Sequence, residues 1–71
     1  METEKFILET EYIQLNQLLK MLNWCESGGM ANQMITEGYV TVNDKVATEK
    51  RKKIRTGDIV EFNGQLMLIA R

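Results

Sequence analysis

Leucine recurs along the first third of the chain in the rhythm of a helix. Leu15, Leu18, Leu19 and Leu22 fall at i, i+3, i+4 and i+7, one apolar stripe on a helical surface. The spacing predicts an amphipathic helix from Tyr12 to about Asn23, with Thr10 as its N-cap. Ahead of it, Lys5–Glu9 is short and apolar at its centre, the pattern of an edge strand. Ser27 opens a second helix as N-cap, although Gly28 and Gly29 make a weak first turn. Ala31, Met34 and Ile35 form its apolar stripe, and Gly38 supplies a left-handed stop.

Beyond Gly38 the period shortens to that of strands. Tyr39–Val42 is β-branched and aromatic, with Val40 and Val42 on one face, and Asn43-Asp44 turns the chain into Val46. Thr56-Gly57-Asp58 makes a further turn. Ile59–Phe62, Asn63-Gly64 and Gln65–Ile69 then read as a hairpin, because Asn-Gly suits a type I′ turn. These elements predict an α+β fold: a two-helix unit packed on one face of a small, mostly antiparallel sheet. At 71 residues the chain has room for one domain and one core.

Composition narrows the chemistry. Cys25 is the only cysteine, so no intrachain disulfide can form, and the sequence contains no histidine. No metal site, cofactor or small-molecule substrate is expected, and a reducing, cytoplasmic setting follows. No apolar run approaches the roughly 20 residues of a membrane span, and the acidic start METEKF is unlike a signal peptide. Without histidine the usual general base near neutral pH is missing, and Cys25 has no imidazole to activate it. Cys25 therefore reads as a small buried residue, Trp24 as a cap on the core, and the methionines as core rather than as an adaptable binding surface. An enzyme is not expected.

Charge changes the picture most. Glu2, Glu4, Glu9, Glu11, Glu26 and Glu37 face only Lys5 and Lys20 in the first 37 residues, a net of −4. The remaining 34 residues carry +3, so the net −1 of the chain conceals a dipolar molecule. Five of the six residues from Lys50 to Arg55 are basic, and only Glu49 lies in the run to neutralise them. A charge run is ordinarily a solvated face. This one is flanked by anchors, with Ile54 as its single apolar residue and Gly57-Asp58 leading straight into the strand Ile59–Phe62. If extended, it would point Arg51, Lys53 and Arg55 to one side and Lys50 and Lys52 to the other, with Ile54 in the core. Such a rim suits a phosphate backbone.

The order of these signals, from LNQLLKMLNWCESGGM through GYVTVND to EKRKKIRTGD, resembles the RNA-binding domain named for ribosomal protein S-four, the αL motif. The matching features are Leu15, Leu19 and Leu22; Ser27, Ala31, Met34 and Ile35; Gly38, Val40, Val42 and Asn43; and the basic run before Gly57-Asp58. The short stand-alone bacterial members, of YaaA/YbcJ type, are most similar. The resemblance implies a non-catalytic protein that recognises structured RNA, usually ribosomal, with a role in ribosome assembly or maturation. Carried over residue by residue, it implicates Ser27, Asn32, Gln33, Asn43, Lys45, Lys50, Arg51, Lys52, Lys53 and Arg55, and Gly28 is a candidate because its backbone would let amides approach a phosphate. Where many members carry arginine after the opening serine and at the start of the first helix, this chain has Gly28 and Gln14. The expectation is then that the basic edge supplies most of the affinity. The competing reading is a protein-interaction module whose basic rim docks an acidic partner. The small core and acidic N-terminal half give no clear interface, which leaves the oligomeric state open and favours a monomer.

Overall fold

The computed structural model describes residues 4–71. Seven strands and two helices follow one another as β1 (Glu4–Ile7), β2 (Ile13–Gln14), α1 (Leu15–Met21), α2 (Gly28–Thr36), β3 (Val40–Val42), β4 (Lys45–Val46), β5 (Lys53–Ile54), β6 (Ile59–Phe62) and β7 (Gln65–Ala70). Five of the strands form one sheet in the order β1-β7-β6-β3-β4, and β2 and β5 pair separately. The expected α+β architecture is present. Every pairing is antiparallel except that of β1 with β7, which is parallel and joins the two ends of the chain.

The core lies between one face of the large sheet and the two helices. Strand alternation directs Val40 and Val42, Val60, and Met67 and Ile69 to that face, where they meet Leu15, Leu18, Leu19, Ala31 and Ile35. The helical stripes thus point where their periodicity says they should. Trp24 covers the rim of the core, its ring centroid 6.2 Å from that of Phe62, and Cys25 is 3% exposed. Of the methionines expected in the core, Met67 is buried and Met34 packs half-buried against it, but Met21 and Met30 are exposed. Those two sit off the apolar stripe of their helices, and their size alone does not draw them in.

Two local expectations need correction. The first helix begins at Leu15 rather than Tyr12, and Thr10 is not its cap. The Thr10 hydroxyl donates to the Tyr12 carbonyl, while Gln14 holds the N-cap position with no side-chain bond to the helix. The physical reason is competition: Ile13 and Gln14 are drawn into a ladder with Ile54 and Lys53 and are unavailable to a helical turn. The second helix starts where Ser27 predicts, its Oγ accepting from the Met30 amide at 3.1 Å.

The turns follow their residues. Asn63 and Gly64 take φ of 54° and 79° between Phe62 and Gln65, the paired left-handed conformations of a type I′ turn. Asn43 and Asp44, at 53° and 69°, do the same between Val42 and Lys45.

Candidate nucleic-acid interface

The basic segment is built onto the start of α1. A helix leaves its first amides without intrahelical partners, and here the basic segment supplies the acceptors. The Leu15 amide donates to the Lys52 carbonyl at 2.9 Å and the Asn16 amide to the Lys50 carbonyl at 3.0 Å. Ile54, 0% exposed, drives the segment into the core between these bonds and the next turn. At that turn Asp58 Oδ2 accepts from the Arg55 amide at 2.9 Å, and the Asp58 amide donates to the Arg55 carbonyl at 3.1 Å. The backbone is pinned on both sides of Ile54, while Lys50, Arg51, Lys52, Lys53 and Arg55 all stand exposed.

The geometry differs from a fully extended rim. Lys50 and Arg51 lie in a turn in which the Lys52 amide donates to the Glu49 carbonyl at 3.3 Å, and only Lys53–Ile54 is strand. The alternation of side chains about Ile54 therefore holds locally. The first two cations project from a bend instead. The Lys53 ammonium lies 4.9 Å from the centroid of the Tyr12 ring, a cation–π contact that lends this lysine a preferred direction.

Other predicted residues fall into two groups. Asn43, Lys45 and Lys52 line one cleft of about 380 Å³, together with Glu49 and Asp58. In that cleft Asn43 is largely engaged with its own fold. Its Nδ2 donates to Asp58 Oδ1 and its Oδ1 accepts from the Ile59 amide, both at 3.0 Å, while its backbone amide donates to the Ile59 carbonyl at 2.8 Å. The side chain ties the β3–β4 turn to the turn that ends the basic segment. Lys45 stands exposed on β4.

Ser27, Gly28, Asn32 and Gln33 lie on and before α2 and do not join that cleft. Ser27 Oγ is occupied by the helix cap, and Asn32 Oδ1 accepts from Asn16 Nδ2 at 3.0 Å. Gln33 is exposed. Asn16 is a residue that sequence reasoning missed. Its backbone holds the Lys50 carbonyl and its side chain holds α2, so one asparagine links the second helix to the basic edge. The available signal was a polar residue directly after the first leucine of the stripe. Lys20 was missed as well; its Cδ lies 3.9 Å from where a Cβ on Gly28 would sit, so the stem of this lysine runs beside the first turn of α2.

Burial pushes the Cys25 thiol above its ordinary value of 9.0, which suits a packing residue. Among the described residues no group of three or more Cys, Asp or Glu side chains is placed to hold a metal ion, and no helix is long and apolar enough to cross a membrane.

A two-helix unit on a small sheet is a fold with known counterparts. The model of the S4 domain family matches residues 6–70, and the chain belongs to that family. Among its relatives, the probable ribosome maturation protein RlbA of Bacillus subtilis (strain 168) is 40% identical over 57 residues, 80% of each chain. The putative RNA-binding protein YbcJ of Escherichia coli (strain K12) is 45% identical over 53 residues, covering 75% of this chain and 76% of that one. The solution structure of YbcJ from E. coli, described as revealing an αL motif involved in RNA binding, matches with a TM-score of 0.74 at 36% identity over 100% of this chain and 91% of that one. The crystal structure of 30S ribosomal protein S4e from Thermoplasma acidophilum matches with a TM-score of 0.67 over 82% of this chain and 31% of that chain; at 22% identity the likeness is one of fold.

Proposed function

We propose that this protein is a non-catalytic RNA-binding module that recognises folded RNA by shape and backbone charge through the segment Lys50–Arg55. The observation that carries the proposal is the pinned geometry of that segment. Its carbonyls cap α1 and Ile54 is wholly buried, so five exposed cations are presented on a backbone that pays little further ordering entropy on binding. Lys45 adds an exposed cation in the neighbouring cleft, beside Glu49 and Asp58. Asn32, Gln33, Ser27 and Gly28 offer polar contacts at the flank, secondary to the phosphate contacts.

The target is ribosomal RNA or a ribosomal precursor, and the role is in ribosome assembly or maturation in the cytoplasm. Membership of the S4 domain family supports this reading, as do the names of the relatives, one a probable ribosome maturation protein and another a putative RNA-binding protein. The test is co-sedimentation with ribosomal particles, with and without RNase, for the wild type and the double variant Lys52→Glu/Lys53→Glu. The wild type should sediment with the particles, RNase should release it, and the double variant should stay in the supernatant. Retention by ribosome-free, RNase-treated extract would replace RNA with an acidic partner protein.

A further inference from the structure

Tyr12, whose ring lies beneath Lys53, also lines a groove whose charged residues are acidic. The groove, of about 700 Å³, runs from the end of β1, along the chain leading into β2, to the outer side of α1. Ile7, Tyr12 and Met21 line it and are 57%, 39% and 61% exposed, an apolar surface that the fold leaves uncovered. Gln17 and Met21, one helical turn apart, form its α1 wall. Glu9 and Glu11 are its only charged lining residues; Glu11 also borders a second cleft with Arg55 and Arg71, which Glu9 does not line. Beside the groove, β1 is the edge of the large sheet, paired only with β7 among the described residues. Its outer side presents unpaired main-chain donors and acceptors.

We propose that this groove docks an extended, cationic segment of a partner protein, with lysine or arginine side chains interleaved with apolar ones. Each part of the site selects a feature of that occupant. The free edge of β1 pairs with an extended main chain, Ile7 and Met21 take apolar side chains, and Glu9 and Glu11 take cations. The carboxylates turn away a phosphate backbone, which distinguishes this surface from the edge Lys50–Arg55. The inference stands whether or not that edge binds RNA, since it rests on a different face. The two surfaces meet at Tyr12, whose ring lies beneath Lys53 while it lines the groove.

The experiment is amide shift mapping by NMR on the full, nitrogen-labelled chain. The probe is an end-capped octapeptide of alternating arginine and valine, with its glutamate–valine counterpart as control. Saturable shifts confined to residues 4–14, Gln17 and Met21 are the expected result. Glu9→Lys should weaken the complex by about twofold to fivefold, the loss of one exposed charge pair. Met21→Ser should weaken it by roughly fivefold through lost apolar contact. Both substituted residues are exposed, so the melting temperature of each free variant should match the wild type. Equal binding of the glutamate peptide, absence of saturable shifts, or shifts in the groove caused instead by a single-stranded RNA octamer would each overturn the proposal. So would groove shifts that appear on raising protein concentration alone, because the occupant would then be a second copy of this chain.

Discussion

Replacing Asn43 separates an RNA contact from a residue that holds the contact surface in place. Asn43 sits at φ 53°, and its side chain makes two hydrogen bonds of 3.0 Å, to Asp58 and to the Ile59 amide. Each net hydrogen bond is worth about 0.5–1.5 kcal/mol, and the exposure of this pair places it in the lower half of that range. Asn43→Gly keeps the left-handed backbone and loses both bonds, a cost of about 1–2 kcal/mol. Asn43→Ala loses the same bonds and must also hold a Cβ in the left-handed region, which raises the cost to roughly 2–4 kcal/mol. For a domain of this size that corresponds to a melting temperature lower by roughly 10–30 °C. Urea titration followed by Trp24 fluorescence reads the ranking directly, because Trp24 packs against Phe62 on β6 and loses that neighbour on unfolding. RNA affinity measured well below both melting temperatures should change less than about threefold for the glycine variant, since the Asp58 bond to the Arg55 amide survives. The reasoning fails if both variants are as stable as the wild type while RNA affinity drops more than about tenfold, for then Asn43 would be a contact and not a brace.

Salt dependence tests the basic edge: five phosphate contacts predict that log affinity falls against log salt with a slope of roughly −3.5 to −4.5, and each Lys→Gln in Lys50–Arg55 should make it shallower by about 0.7–0.9. A wild-type slope near zero would sink the phosphate contacts altogether. Ile54→Ala should cost about 2–5 kcal/mol, much of the roughly 4–11 kcal/mol expected for a domain of this length. Ile54→Val, at about 0.5–1.5 kcal/mol, should fold and bind RNA nearly as well as the wild type; denaturant midpoints and binding isotherms check both. The buried Cys25 thiol should resist alkylation until urea opens the core. Its proton is held more tightly in the folded than in the unfolded chain, so its contribution to stability is fully present below the unfolded thiol's ordinary value of 9.0 and is lost as pH rises above it. A stability–pH profile of Cys25→Ala should lack that alkaline loss.

Part of the candidate interface was legible because it is local. Five cations in six positions, a single isoleucine among them and a Gly-Asp turn after them are adjacent in the chain, and their meaning needs no other segment. The burial of Ile54 followed from that pattern. The bend at Lys50–Arg51 did not, because it answers to the helix amides of Leu15 and Asn16, more than thirty residues away. Asn43 looked like a candidate contact from its place in the motif, and only the approach of Asp58 and Ile59 revealed where its amide is spent.

The same division runs through the whole molecule. The sequence alone determined the two helical stripes, the left-handed stop at Gly38 and the turn at Asn63-Gly64, since periodicity and backbone sterics act within a few residues. Tertiary structure decided that β1 joins β7 in parallel, that Ile13 and Gln14 leave the helix to pair with Lys53 and Ile54, and that Asn16 ties α2 to the basic edge. Those choices satisfy hydrogen-bonding groups between segments far apart in the chain, so no local pattern records them.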